Sequence, residues 1–209
     1  MLQTKLTIKT DKFLHKVQQR CNEVGALLIL DEIQTGIART GKFWGFEHYN
    51  LTPDIVITGK GLGGGMPIGA FIASQKHMSL LKENPKLGHI STFAGHPVMV
   101  AAANATIKEI FDENLHEESL RKEKLIRNLL QHKAIKEIRG KGLMLAAIVE
   151  SPELAAKIIY KCLKKGLILF FLLFEGRAIR MTPPLTISDD EIKEACSILL
   201  EAIDEVEKA

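Results

Sequence analysis

Apolar and polar positions follow two different periods along this chain, one typical of helices and one typical of strands. Apolar residues recur on one face between residues 10 and 24, which predicts an amphipathic helix. The continuous apolar run at 26–30 predicts a central strand of a mostly parallel sheet that is covered on both faces, and a second strand is predicted at 54–58. A third strand is predicted at 69–74, and an alanine-rich helix from Pro97 to about residue 113.

The pattern changes after residue 113. A charged amphipathic helix at 115–133 precedes a strand, glycine turn and strand within 135–150, and a further helix at 151–166. The run GLILFFLLF at 166–174 is too short to span a bilayer, so it predicts a core strand. Another strand is predicted at 176–184, and then a terminal helix that Ser188 and Glu191 begin as a capping box.

This order of elements predicts an α/β fold in two parts. Residues 1–113 form an α/β domain with a mostly parallel sheet, and residues 114–209 form a smaller α+β domain. Hydrophobic residues make up 46% of the 209 positions, which is enough for ordinary globular cores. The net charge of +3 and the aromatic content of 6% argue against a protein that binds nucleic acid or a membrane surface.

The cysteines and the first residues of the chain indicate the cellular compartment. The three cysteines, Cys21, Cys162 and Cys196, are far apart and form no disulfide framework or metal-ligand spacing, so we expect reduced thiols and no metal site. The beginning, MLQTKLTIKTDKF, has no apolar signal-peptide segment. The sequence therefore predicts a cytoplasmic location.

The candidate chemistry begins with IVITGKGLGGG at 55–65, where Lys60 follows a strand and is surrounded by glycines. A phosphate-binding P-loop requires Ser or Thr after the lysine, but Gly61 stands there. The glycines also match the dinucleotide pattern G-x-G-x-x-G, yet that pattern must open a helix, and Pro67 with the following strand argues against one. The remaining interpretation is a lysine that forms a Schiff base, which needs a sheltered amine with small neighbours.

A Schiff-base lysine that serves pyridoxal phosphate needs a carboxylate as its companion. The carboxylate keeps the pyridine nitrogen protonated, and the protonated ring takes up electrons. Asp31 ends one predicted strand and Lys60 follows the next. Ligands of open α/β sheets gather at the carboxyl ends of the strands, so we expect these two residues at one site.

Four segments in order resemble the class III pyridoxal-phosphate aminotransferases of the acetylornithine, ornithine and 4-aminobutyrate type. They are LLILDEIQTGIARTGKFWGFEH, PDIVITGKGLGGGMPIGAFIAS, STFAGHP and IRMTPPLTIS, and the resemblance extends from about Phe13 to the end of the chain. It implies part of a fold type I large domain and a small C-terminal domain. It also implies a pyridoxal 5'-phosphate cofactor and amino-group transfer to 2-oxoglutarate.

The resemblance assigns roles around the cofactor. Lys60 would hold the cofactor as a Schiff base and then move a proton as general base and acid. Asp31 would pair with the pyridine nitrogen, Ile33 would pack on the ring face, and Gln34 would bond near the ring hydroxyl oxygen.

Two further residues take roles from the same resemblance. Thr92 would reach the cofactor phosphate of the neighbouring subunit in a homodimer. Arg180 would bind the substrate carboxylate with its planar guanidinium group.

Glu32 is expected to orient its loop, and Arg39 to fix that loop through an ion pair. The family usually has Gly-Phe-Gly-Arg where residues 36–39 stand.

Chains of that family extend much further on the N-terminal side, with the glycine-rich turn that cradles the cofactor phosphate. We therefore expect a C-terminal portion that alone binds the cofactor poorly and has little transaminase activity. Three other interpretations stay open: an inactive remnant, a subunit that requires a separate N-terminal partner, and an aminomutase of the glutamate-1-semialdehyde type.

Overall fold

The computed structural model describes residues 11–86 and 89–208. The first position of the predicted helix at residue 10, and the polar segment before it, lie outside the described residues. These residues form two compact units: one comprises 11–37 and 42–114, and the other comprises 38–41 and 115–208. Residues 38–41 therefore belong to the second unit, although they lie among residues of the first in the sequence.

The first unit contains a three-stranded sheet in the order β1 (Ile29–Asp31), β2 (Ile55–Thr58) and β3 (Ala70–Ala73). β1 and β2 are parallel, with Asp31 opposite Ile57, whereas β2 and β3 are antiparallel. The helices of this unit are α1 (Asp11–Val24), α2 (Gln75–Ser79) and α3 (Pro97–Asp112). Short 3-10 turns occupy Gly45–Tyr49, Lys60–Gly63 and Leu80–Lys82.

The prediction of a fully covered strand at 26–30 is wrong in its extent and in its burial. The strand is shorter, and Leu27 and Ile29 are 48% and 51% exposed. Within the described residues β1 pairs on one side only, with β2. An apolar run predicts a strand, but how many layers cover it depends on other parts of the molecule.

The second unit contains a four-stranded antiparallel sheet in the order β4-β5-β7-β6. The strands are β4 (Glu137–Lys141), β5 (Met144–Ile148), β6 (Phe170–Leu172) and β7 (Glu175–Met181). The helices are α4 (Leu115–Leu129), α5 (Pro152–Lys164) and α6 (Asp189–Glu207). Their apolar faces and one face of the sheet form the core, which includes Leu145, Ile158, Ile179, Leu199 and Ile203.

Helices α6 and α3 begin at the residues that the sequence predicts. Ser188 Oγ accepts a hydrogen bond from the Glu191 amide at 3.2 Å, and Glu191 Oε2 accepts one from the Ser188 amide at 2.7 Å. This capping box satisfies two backbone donors and stabilises α6 by about 1 kcal/mol. Pro97 stands in the first turn of α3, as predicted.

The prediction of a core strand at 166–174 is also wrong. Strand structure is limited to Phe170–Leu172, at the edge of the sheet. Of the surrounding apolar side chains, Ile168, Phe170, Phe171, Leu173 and Phe174 are exposed. None of the helices in the described ranges is long and apolar enough to cross a membrane.

Candidate active site

Lys60 lies just beyond the carboxyl end of β2 and is exposed. Its φ of +44° is in the left-handed region, which costs a residue with a β-carbon of order 1 kcal/mol or more. The glycine-rich segment after it forms a 3-10 turn, in which the Leu62 amide donates to the Gly59 carbonyl at 3.0 Å, and leads into β3. The prediction that no α-helix follows these glycines is confirmed, which excludes the dinucleotide interpretation.

Asp31 is the last residue of β1, the parallel neighbour of β2. It is exposed, and its Oδ1 accepts a hydrogen bond from the Ile33 amide at 3.0 Å. Because two parallel strands end at the same edge, Asp31 and the segment that carries Lys60 both lie at the carboxyl edge of this sheet. The structure thus brings the two predicted chemical groups to neighbouring strand ends.

Ile33 and Gln34 are partly buried in the turn that follows β1. A β-carbon placed on Gly59 would lie 3.9 Å from Ile33 Cγ1 and 3.4 Å from the Ile68 carbonyl oxygen. The Ile33 side chain therefore borders the backbone directly before Lys60. Glycine at position 59 leaves the space between these segments open.

Glu32 holds the loop that begins at Asp31. Its buried carboxylate accepts hydrogen bonds from Thr35 Oγ1 at 2.5 Å and from the amides of Gly45 and Phe46 at 2.9 Å each. Burial raises the pKa of Glu32, while these three hydrogen bonds act in the opposite direction. This arrangement suits the orienting role that the sequence predicts.

Thr92 lies in an exposed turn before α3, where the Ala94 amide donates to the Ser91 carbonyl at 3.1 Å. Among the described residues, no hydrogen bond joins Thr92 to Asp31 or Lys60. The role assigned to Thr92, across a subunit interface, stays a prediction.

Arg180 belongs to the second unit. It lies on β7 between Ala146 of β5 and Phe170 of β6, and it is partly exposed. Burial, and then the like charge of Arg180, lower the pKa of Arg39 to about 10. The positive charge of Arg180 therefore acts on Arg39 within this unit.

Arg39 is held by backbone carbonyls, so the expected ion pair is a wrong prediction for the described residues. Arg39 Nη1 donates to the carbonyl oxygens of Leu143 at 3.2 Å and Pro183 at 2.5 Å. Ile37 and Ala38, just before it, have φ values of +56° and +62°. Glycine adopts such values freely, which agrees with the glycine that the family usually has at position 38.

Sequence reasoning missed two features. Thr58 Oγ1, at the end of β2, is buried with no hydrogen-bond partner among the described residues, and nothing in its sequence surroundings signals this. His132, Asp204 and Glu207 also meet, with their ligand atoms within 4.8 Å of one another. Because 72 positions separate His132 from Asp204, spacing along the chain could not reveal the cluster.

The contacts of this cluster are a hydrogen bond between His132 and Asp204 and an ion pair between Lys133 and Glu207. His132 Nδ1 accepts a hydrogen bond from the Ala134 amide at 3.1 Å, so the neutral ring carries its proton on Nε2. Nε2 faces Asp204 Oδ1 at 3.2 Å, and Lys133 pairs with Glu207 at 3.1 Å. A metal on Nε2 would move the ring proton to Nδ1, against the amide that already donates there.

Comparison with curated proteins gives close relatives of known class. The chain is 40% identical over 202 residues to an acetylornithine aminotransferase of Caldanaerobacter subterraneus subsp. tengcongensis, covering 94% of this chain and 50% of that protein. It is 40% identical over 203 residues to a putrescine aminotransferase of Pectobacterium atrosepticum, covering 92% of this chain and 43% of that protein. The chain spans about half the length of the curated relatives it matches.

Solved structures agree with the sequence relatives. The fold matches an ornithine aminotransferase from Toxoplasma gondii ME49 with a TM-score of 0.86 and 32% identity, covering 96% of this chain and 48% of that one. Another structure of the Toxoplasma gondii enzyme has partial occupancy of pyridoxal phosphate at its active site, and matches with a TM-score of 0.84. The sequence model of the family "Aminotransferase class-III" matches residues 6–203. The chain therefore belongs to the class III aminotransferases.

Proposed function

We propose that this chain provides the lysine-bearing part of a pyridoxal-phosphate-dependent transaminase. The reaction would move an amino group from an amine or amino acid, of the acetylornithine, ornithine or 4-aminobutyrate type, to 2-oxoglutarate. The observation that carries the proposal is the pair of neighbouring strand ends, with Asp31 after β1 and Lys60 after β2. Family membership supplies the reaction class.

The residues at this edge fit the reactive part of pyridoxal phosphate. Lys60 offers an exposed amine, Asp31 an exposed carboxylate, and Ile33 an apolar side chain beside the glycine that precedes Lys60. Bound there, the cofactor would supply an aldehyde that amines attack and a ring that accepts an electron pair. Asp31 would hold the proton of the ring nitrogen, and Gln34 would donate to the ring oxygen.

Lys60 would have two tasks. Its amine would bind the cofactor covalently, and, once a substrate amine displaces it, would carry a proton between two carbon atoms of the reacting system. Proton carriage at neutral pH requires an amine that can lose its proton, which a covered site favours. In the described chain Lys60 is exposed, so the proposal includes cover from further residues or a further chain.

Arg180 would orient the substrate by binding a carboxylate. Its guanidinium has a planar fork that matches both carboxylate oxygens, and the repulsion between Arg180 and Arg39 would be relieved by an anion. Thr92 would bind the cofactor phosphate of a neighbouring subunit in a homodimer. Its exposed position in the turn before α3 leaves the hydroxyl accessible for such a contact.

The direct test is reductive trapping. The chain is mixed with pyridoxal phosphate, reduced with borohydride and digested, and the labelled lysines are identified by mass spectrometry. We expect Lys60 to be labelled in preference to other exposed lysines, and Lys60→Ala to lose that label while Lys76→Ala keeps it. Equal labelling of Lys60 and Lys76 at limiting cofactor would contradict the proposal.

A further inference from the structure

Two loops with strained backbones meet beside Lys60 in the first unit. Ile37, in the loop that follows β1, has a φ of +56°, and Lys60, after β2, has a φ of +44°. A positive φ is rare for any residue with a β-carbon, and a β-branched residue such as isoleucine is an outlier there. Such a backbone persists only where surrounding contacts hold it, so the contacts of these two residues bear on the site.

Ile37 packs on the residue directly after Lys60. It is only 4% exposed. A β-carbon placed on Gly61 would lie 3.6 Å from Cβ and 3.6 Å from Cγ2 of Ile37. Apart from the neighbours of Gly61 in its own turn, no other atom of the described residues lies within 4 Å of that position. Ile37 is therefore the residue that covers this side of the turn.

The far end of the glycine-rich segment has separate supports. A β-carbon on Gly63 would lie 3.0 Å from Ile68 Cγ2, and one on Gly64 would collide with the hydroxyl group of Thr106 in α3. These contacts fix the far end without involving Ile37. A change at Ile37 should therefore loosen the end of the segment nearest the lysine and leave the other end in place.

The conformation of Lys60 depends on the turn that Ile37 covers. The Leu62 amide donates to the Gly59 carbonyl at 3.0 Å, which closes the turn around Lys60. A residue with a β-carbon prefers negative φ, so Lys60 would leave the left-handed region if the turn were free to open. That change would redirect the Cα–Cβ bond, and with it the side chain that ends in the amine. A contact from outside the turn is therefore needed to keep Lys60 in one direction.

We propose that Ile37 is a positioning residue for Lys60. Its Cβ and Cγ2 atoms pack on Gly61, keep the turn at 59–62 closed, and so hold Lys60 in the left-handed conformation that directs its amine. The loop that begins at Asp31 thereby sets the geometry of the lysine after the neighbouring strand. The consequence for cofactor binding rests on the proposed transaminase function, whereas the packing of the turn does not.

Three variants separate the contact from general stability. Ile37→Val keeps both atoms that touch Gly61, because valine lacks only the terminal methyl group of isoleucine. Ile37→Ala removes Cγ2 and opens space above the turn. Leu51→Ala is the matched control, since Leu51 is a buried residue of the same unit that precedes β2, at the end opposite Lys60. Both alanine variants should lower the stability of the unit, but only Ile37→Ala should open the turn.

Hydrogen exchange followed by NMR measures the turn directly and needs no cofactor. The reporter is the Leu62 amide, and the reference is the amide of Ala103, in the middle of α3 in the same unit. Relative to this reference, the Leu62 amide should exchange about 10-fold faster in Ile37→Ala than in wild type, because the turn opens locally. In Ile37→Val and Leu51→Ala the ratio should keep its wild-type value.

Reductive trapping with pyridoxal phosphate measures the consequence for the amine. With borohydride and limiting cofactor, the preference for Lys60 over Lys76 should fall about 5- to 10-fold in Ile37→Ala, because the amine is no longer oriented. Ile37→Val and Leu51→Ala should keep the wild-type preference. If wild type itself shows no preference for Lys60, the proposed transaminase function fails, and hydrogen exchange still decides the role of Ile37.

Four results would overturn the proposal. The first is an equal exchange ratio in wild type and Ile37→Ala, and the second is an Ile37→Val chain that behaves like Ile37→Ala, since valine keeps both contact atoms. The third is a ratio that Leu51→Ala raises as much, because the effect would then come from lost stability. The fourth is a turn that opens in Ile37→Ala while the wild-type preference for Lys60 is retained.

Discussion

Arg39 and Pro183 are 144 positions apart in the sequence, and a hydrogen bond of 2.5 Å joins Arg39 Nη1 to the Pro183 carbonyl oxygen. The same nitrogen donates to the Leu143 carbonyl, and the Leu143 amide donates back to the Arg39 carbonyl at 3.0 Å. One side chain therefore ties residues 38–41 to the segment that follows Arg180. The candidate carboxylate-binding arginine is positioned next to this anchored loop.

Replacing Arg39 by methionine should lower the free energy of unfolding by about 2–3 kcal/mol, because two carbonyls lose a charged donor. Arg39→Lys should lose less, since a single ammonium can still reach one of the carbonyls. Urea unfolding of the two variants and wild type measures the difference. Equal stability of all three chains would show that this anchor does not contribute.

The backbone at Gly140 lies very close to the backbone of Met144 in the hairpin of β4 and β5, and a substitution at Gly140 tests this contact. Its φ is +111°, and a β-carbon there would lie 2.0 Å from the Met144 carbonyl oxygen. Gly140→Ala should therefore destabilise the chain by about 3 kcal/mol or more, through strain and a collision with the backbone.

Gly166 is the matched control for that substitution. It also has a positive φ, +88°, but no atom lies within 4 Å of the position of a β-carbon. Gly166→Ala should cost only the backbone strain, about 1–2 kcal/mol. If both alanine variants unfold at the same urea concentration, the close contact at Gly140 is not present.

Glu175 gives a pH-dependent contribution with a defined sign. Hydrogen bonds from Arg177, with Arg139 also donating, lower the pKa of Glu175 from its ordinary 4.5 to about 2. A carboxylate whose pKa is depressed in the folded state stabilises above its unfolded pKa, and loses that contribution as the pH falls through the folded value. The stabilisation should be present at pH 7 and fade between about pH 4.5 and 2.

Glu175→Gln should therefore be less stable than wild type at neutral pH, by up to about 1 kcal/mol because the pair lies near solvent. The difference should shrink on acidification and in high salt. Thermal unfolding of both chains over this pH range measures it. A difference that stays constant with pH would indicate that the carboxylate charge plays no part.

Arg180 can be tested with two donors of similar length, given the proposed transaminase function. 4-Aminobutyrate carries a carboxylate at the end where putrescine carries a second amine. The measurement is the rate at which each donor transfers its amino group in the absence of a 2-oxo acid. Arg180→Lys should lower this rate about 10- to 100-fold for 4-aminobutyrate, since a charged, bidentate contact is lost. Putrescine should react at an unchanged rate, and equal losses for both donors would exclude carboxylate binding by Arg180.

The sequence predicted the local elements and part of the candidate site. Helices α3 and α6 begin where Pro97 and Ser188 indicated, and no α-helix opens at the glycines after Lys60, as expected. Asp31 and Lys60 could be paired from their positions in the chain, because the ends of parallel strands share one edge of a sheet. The donors around Glu32, and the carbonyls that hold Arg39, could not be predicted from neighbouring residues.

What the sequence alone determined is local: periodicity, capping residues and glycine positions act within a few residues, so they can be read along the chain. Only the tertiary structure decided which apolar runs are covered. Ile29 and Phe171 stand in equally apolar segments that predicted buried strands, and both are exposed at sheet edges. Burial is decided by residues distant in the sequence or in another chain, because a strand is covered only when a second layer packs on it.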